Sequence, residues 1–195
     1  MAEVSVNIPP NRGRLSWCAI FFVSSAFKKS KILSWHIINT EKAVEIMKIC
    51  LVGSSGGHLT HLYMLKPFWE QHERFWVTFE KEDAKGLLSE ESIHYCYFPT
   101  NRNIKNLLRN TVLAWKILRK EQPDILISSG AAVAVPFFFL AKLMKKKLVF
   151  VEIYDRFNKA SLTGKLVYSI TDLFIVQWEG MLKIYPKAVN FGSLY

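Results

Sequence analysis

Lys48-Ile-Cys-Leu-Val52 runs directly into Gly53-Ser-Ser-Gly-Gly-His58, and this junction decides the fold. A short apolar run reads as a buried strand, and the glycine-rich turn both ends it and opens a helix. Outward from the junction the pattern repeats. Residues 58–69 read as a helix through Leu59, Leu62, Tyr63, Leu65 and Trp69; residues 75–79 and 93–98 read as strands. Residues 104–120 are predicted to be a helix burying one broad stripe of Leu107, Leu108, Val112, Trp115, Ile117 and Leu118. Pro123 breaks the chain before a fourth strand at 124–128, and 131–144 reads as a mostly buried helix. A fifth strand at 147–152, a helix at 163–170 and a sixth strand at 172–177 follow. Strand-then-helix units with near-continuous apolar strands predict an α/β, Rossmann-like parallel sheet with helices on both faces.

The 195 residues are half apolar, enough for one core. Residues 1–46 carry Pro9-Pro10, scattered cations and no alternation that feeds a sheet, so the folded domain is expected at 47–195 with an appendage before it. Met47 is then the expected natural start, and peptides upstream of it in mass spectra of the natural protein would refute that expectation. The net charge of +10 draws anionic partners. The cations cluster beside apolar runs, Lys28, Lys29 and Lys31 after 17–27 and Lys145, Lys146 and Lys147 after 131–144. That pattern suits a membrane face better than a nucleic-acid groove, and no nucleic-acid-binding module accompanies it. The apolar runs at 15–27 and 131–144 fall short of the roughly 20 residues of a spanning helix, so peripheral attachment is expected. Cys18, Cys50 and Cys96 are odd in number and lack zinc-site spacing, which predicts a reducing compartment and no structural metal.

In open parallel sheets ligands bind beyond the carboxyl ends of the strands. Gly53, Ser54, Ser55, Gly56 and Gly57 form such a turn, which either cradles a phosphate or binds nothing. It lacks both the dinucleotide fingerprint and the P-loop lysine. His58, at a helix start, is expected to be neutral and able to accept a proton, or else to pack against the turn. Ser129 and Gly130 follow the fourth strand, as ligand contacts or as a cap. Glu152 ends the fifth strand and is expected to take hydrogen bonds from sugar hydroxyls, to act as a base, or to pair with Arg156. Pro99-Thr-Asn-Arg-Asn103 is a polar loop after the third strand.

Taken in order, several segments resemble the PssD and capsular-polysaccharide F-type subunits and, more distantly, the membrane-anchor subunit of the dolichol-pathway UDP-GlcNAc transferase. They are Gly53-Ser-Ser-Gly-Gly-His58, Pro99-Thr-Asn-Arg-Asn-Ile-Lys-Asn-Leu-Leu-Arg-Asn110, Ser128-Ser-Gly-Ala131, Val151-Glu152 with Arg156, Leu162-Thr-Gly-Lys165, Asp172-Leu-Phe-Ile-Val-Gln-Trp-Glu179, Tyr185-Pro-Lys-Ala188 and Gly192-Ser-Leu194. Around Glu152 the chain reads Glu-Ile-Tyr-Asp-Arg, where the resemblance leads one to expect something nearer Glu-Ser-Phe-Ala-Arg.

The resemblance implies the N-terminal, acceptor-side half of a GT-B glycosyltransferase such as MurG, with the donor-side half on a separate subunit. Gly53, Gly56 and Gly57 would shape a diphosphate turn, His58 would serve as base or orienter at the acceptor hydroxyl, and Glu152 and Arg156 would line the cleft. The implied reaction is inverting displacement on a UDP-sugar by a lipid-diphosphate-linked saccharide, without metal or cofactor, in exopolysaccharide or capsule synthesis. It is implied to occur at the cytoplasmic face of the inner membrane and only with the partner bound. The partner is expected to dock through the C-terminal segment 185–195 with Phe191, Leu194 and Tyr195 as anchors, because apolar and aromatic residues are unusual in a free tail, unless they tuck back onto the domain's own sheet. The competing reading is a non-catalytic activator or membrane scaffold that recruits a self-sufficient transferase.

Overall fold

A computed structural model describes residues 46–100 and 103–192. The proposed appendage therefore lies outside the described residues, save Ile46. The elements are β1 (Lys48–Val52), α1 (Gly57–Tyr63), α2 (Lys66–Trp69), β2 (Glu73–Phe79), α3 (Glu82–Leu87), β3 (Ile93–Cys96), α4 (Ile104–Glu121) and β4 (Ile125–Ser128). There follow α5 (Ala134–Leu143), β5 (Lys147–Val151), α6 (Leu162–Val167), β6 (Leu173–Val176), a 3-10 turn (Glu179–Lys183) and β7 (Val189–Asn190). All seven strands are parallel in the order β3-β2-β1-β4-β5-β6-β7. The expected α/β, Rossmann-like parallel sheet is thus what the chain forms.

The strands read as continuous apolar runs because both faces of the sheet are covered. On one face Phe150 stacks on Phe174 at 4.9 Å, and Phe137, Phe138 and Val133 of the α5 region pack over them. On the other, Trp69 and Trp76 meet edge to face at 5.5 Å, and the Trp69 indole donates to the Leu62 carbonyl. Fully burying such a side chain contributes about 1.5–3 kcal/mol. At the amino ends, Asp124 and Asp172 were expected inside strands; instead their carboxylates accept the Lys48 and Leu148 amides and pin neighbouring strands.

The helix expected at 58–69 is broken between α1 and α2, where Pro67 takes a first-turn position that tolerates its missing N–H. Short α3 and β7 were not foreseen. Val189 and Asn190 pair with Ile175 and Val176, so the sheet does not end at its sixth strand.

The largest departure is α4. Its buried side consists of Asn106, Asn110, Ala114, Ile117 and Leu118. Leu107, Leu108, Val112 and Trp115, expected on the buried stripe, are exposed. The asparagines displace them because each satisfies backbone groups of the preceding loop. Asn110 both donates to the Tyr97 carbonyl and accepts the Tyr97 amide, and Asn106 donates to the Pro99 carbonyl. The asparagine at 103 caps the helix by accepting the Asn106 amide.

Candidate functional site

β1 and β4 are neighbours at the centre of the sheet, so the turns leaving their carboxyl ends lie side by side. This places His58 of α1 against Ser129 and Gly130. His58 Nδ1 is 3.0 Å from the Ser129 carbonyl oxygen. A carbonyl only accepts, so Nδ1 carries the proton and Nε2 keeps its lone pair. Nε2 has no hydrogen-bond partner among the described residues. The Ser129 hydroxyl donates to the His58 carbonyl at 2.9 Å, which locks the two turns together.

Gly130, at φ 121°, allows the close approach: a Cβ there would stand 3.0 Å from His58 Cε1. Ser128 holds the turn, its hydroxyl oxygen accepting the Gly130 amide at 3.0 Å. Burial lowers the His58 pKa, helped by the charges of His61 and Arg156 and opposed by the Ser129 carbonyl and Asp155. Desolvation, rather than the helix terminus, is thus the principal influence favouring the neutral form of this imidazole.

The glycine turn is less open than its sequence suggests. Gly53 is buried, its amide donates to the Val77 carbonyl, and a Cβ would press on Leu62 Cδ1 at 3.1 Å. Gly56, at φ 77°, donates its amide to the Asp83 carboxylate, a partner the sequence reading missed. The amides of Ser54, Ser55 and Gly57 have no partner among the described residues. Arg156 lies near enough to repel a proton from His58, and its Nε is buried without a partner among the described residues.

Glu152 occupies a different setting from the one expected. It is 1% exposed, and its Oε2 accepts from the Ser161 hydroxyl at 3.1 Å, the Ser161 amide at 3.3 Å and the Tyr185 hydroxyl at 3.2 Å. It makes no salt bridge with Arg156. Burial raises its pKa, against the pull of Ser161 and Tyr185. Gly164 makes room for the cluster, since a Cβ there would fall 2.6 Å from both Glu152 Oε2 and the Tyr185 hydroxyl. Ser161 in turn caps α6 by accepting the Gly164 amide. Oε2 thus ties β5, α6 and the C-terminal segment together, while Oε1 is buried without a hydrogen-bond partner among the described residues.

Tyr185, the first residue of the expected docking segment, is 2% exposed, and β7 belongs to this domain's own sheet. Of the proposed anchors Phe191 is half-buried, and Leu194 and Tyr195 lie outside the described residues. Lys145, Lys146 and Lys147 sit at the amino end of β5, on the opposite rim from His58. At the His58 rim, an exposed aromatic pair went unread: Tyr154 and Trp178 are 4.8 Å apart, with the indole donating to the Tyr154 carbonyl.

Strand order and the seven-stranded parallel sheet define the fold class: a Rossmann-like domain of the kind that forms one half of a GT-B glycosyltransferase. MurG of Acinetobacter baumannii matches with a TM-score of 0.59 at 15% identity, over 69% of this chain and 42% of that one. UDP-N-acetylglucosamine 2-epimerase from Rickettsia bellii matches with a TM-score of 0.59 at 16% identity, over 77% and 46%. The chain therefore spans less than half of either solved structure.

Residues 48–194 match the family described as oligosaccharide biosynthesis protein Alg14 like, and the chain belongs to that family. The human UDP-N-acetylglucosamine transferase subunit ALG14 is 25% identical over 183 residues, covering 77% of this chain and 84% of that protein. Its counterpart in Kluyveromyces lactis is 35% identical over 99 residues, covering 47% and 42%. These relatives are eukaryotic, and they do not bear on an exopolysaccharide or capsule setting.

Proposed function

We propose that this chain is the acceptor-binding, membrane-associated subunit of a two-component glycosyltransferase that extends a lipid-diphosphate-linked saccharide from a UDP-sugar. Its relatives' description as UDP-N-acetylglucosamine transferase subunits supports that donor class. The exopolysaccharide or capsule destination rests on the sequence resemblance alone. One observation carries the catalytic reading: His58 presents a neutral imidazole whose Nδ1–H is fixed on the Ser129 carbonyl and whose Nε2 is unengaged.

In this mechanism an acceptor hydroxyl gives its proton to Nε2 as its oxygen bonds to the anomeric carbon. The bond from that carbon to the UDP oxygen breaks on the opposite face, so the product is inverted. The unpartnered amides of Ser54, Ser55 and Gly57 and the Arg156 guanidinium would hold the acceptor diphosphate, while the donor-side subunit holds most of the UDP-sugar. We expect transfer only with that subunit bound, at the cytoplasmic face of the membrane.

Transfer is measured with purified chain, donor-side subunit, UDP-GlcNAc and a diphosphate-lipid acceptor. The chain alone should be inactive. His58→Ala in the reconstituted pair should lower turnover by about 10²–10⁴-fold, the range of a lost general base. Near-normal turnover would refute the base role, and full activity of the donor-side subunit without this chain would favour the scaffold reading.

A further inference from the structure

The lysine run at 145–147 was the expected membrane contact, yet the surface with the physical character of one lies on α4. This helix has two apolar faces. One packs inward through Ala114, Ile117 and Leu118 beside the two asparagines. The other carries Ile104 (74% exposed), Leu108 (63%), Val112 (58%) and Trp115 (39%) into solvent. Their spacing of four, four and three residues forms one stripe about 16 Å long. Tyr97, 49% exposed, widens the apolar surface beside the middle of the helix, where its backbone is bonded to Asn110.

Lys105, Arg109, Lys116, Arg119 and Lys120 are exposed on the same helix, flanking the stripe. Its sole acidic residue, Glu121, is at the far end and engaged by Lys48 and His94. A groove of about 350 Å³ runs beside the stripe, lined by Tyr97, Leu108, Arg109, Val112, Leu113 and Lys116. Its floor is apolar, two cations stand at its edge, and the Arg109 guanidinium lies 5.4 Å from the Tyr97 ring centroid. Because α4 leaves the carboxyl end of β3, the Ile104 end lies on the same rim of the sheet as His58.

We propose that the outer face of α4 is a docking surface for an anionic phospholipid bilayer. The apolar stripe enters the headgroup region, and the flanking cations take lipid phosphates, the arrangement by which amphipathic helices lie in a membrane plane. Charge complementarity selects this occupant, because the flank of α4 is cationic along its length with no acid before Glu121. The placement rests on the membrane-associated reading proposed above and is independent of the transfer chemistry.

The test uses the full chain with an environment-sensitive fluorophore on Leu108→Cys, with Cys18 replaced by serine and Cys50 and Cys96 left in place as buried thiols. Emission should shift to the blue on adding phosphatidylcholine vesicles that contain phosphatidylglycerol, and a lipid-borne quencher should then reduce it. A matching probe on Lys145→Cys should remain in water. Arg109→Gln with Lys116→Gln should weaken partition by about tenfold or more, as expected for two cations near an anionic surface. Leu108→Asp with Val112→Asp should abolish vesicle contact at α4 without lowering Tm, since both side chains are exposed.

The proposal is overturned if the chain fails to co-sediment with these vesicles, or if it co-sediments while the 108 probe stays water-like. A probe already shielded before vesicles are added would show that residues 1–45 or a second copy cover the face. A shift on adding the donor-side subunit but not vesicles would make it a protein interface, and equal binding to pure phosphatidylcholine would remove the charge argument.

Discussion

Two corners at the carboxyl rim each hold a titratable group whose pKa is shifted mainly by burial, and they are built for different ends. At His58 the shift leaves a neutral base with one nitrogen anchored and the other unengaged. At Glu152 it leaves a carboxyl group whose engaged oxygen takes three hydrogen bonds from within the domain. A shifted pKa marks desolvation in both cases. Only the position of the unengaged atom distinguishes a group able to meet substrate from one that positions its neighbours.

After His58→Ala, the largest effects should come from the glycines that admit each cluster. Gly130→Ala introduces a Cβ 3.0 Å from His58 Cε1 at a backbone φ of 121°. Displacing the imidazole by about 1 Å should lower transfer about 10²-fold, with a stability loss of about 1–3 kcal/mol from backbone strain. Gly164→Ala should instead cost mainly stability, about 1–3 kcal/mol by overpacking, because its Cβ would collide with Glu152 and Tyr185. Denaturant melts and transfer assays on both variants check the contrast. Equal losses of activity at equal stability would place the two corners in one functional site.

Glu152→Gln sharpens the comparison further. The raised pKa means that the native state favours the protonated carboxyl, so its contribution is complete below the ordinary carboxylate range and declines as pH rises through the folded value. The variant should flatten that part of the stability profile while retaining most transfer activity. A loss comparable to that of His58→Ala would restore Glu152 to the cleft.

For His58 the sign is opposite. Its lowered pKa keeps the base form available as pH falls, so the acid limb of kcat/KM should lie below about 6.5, the ordinary histidine value. A limb above that value would assign the titration to another group. The smallest effect is expected for Ser129→Ala, which removes the hydroxyl bond to the His58 carbonyl but keeps the Ser129 backbone acceptor. A stability loss of about 0.5–1.5 kcal/mol with a modest rate change should follow.

The strands were legible because a parallel sheet covered on both faces leaves uninterrupted apolar runs, and Ile49–Val52, Ile125–Ile127 and Leu148–Val151 show this plainly. The turns carrying His58, Ser129 and Gly130 were legible for the related reason that ligands gather at strand ends. The Glu152 cluster was not, since Ser161 and Tyr185 reach it across 9 and 33 residues by tertiary packing that no local period records. Asp83 at Gly56 belongs to the same class. The outer face of α4 was misread because Leu108, Val112 and Trp115 imitate a core stripe, while Asn106 and Asn110 do not announce the loop they hold. Hydrophobic spacing identifies an apolar face without identifying what covers it.

The strand order has a bearing on how the chain acquires its shape. Neighbours within the β3-β2-β1 wing and within the β4-β5-β6-β7 wing close over short spans, with Lys48 beside Glu73 and Ile125 beside Lys147. The joint between β1 and β4 spans far more chain, and the His58 to Ser129 hydrogen bond across it links residues 71 apart. The length-dependent entropy of closing such a loop is about 4 kcal/mol, an outlay recovered only when both wings are ready to meet. We therefore expect each wing to condense first and the central seam to zip afterwards. Because the imidazole is on one wing and its carbonyl acceptor on the other, the base gains its tautomer at the closing step. An NMR signal from the His58 ring would therefore time the end of folding, and a nascent chain halted before Ser129 would hold every atom of the base without the means to orient it.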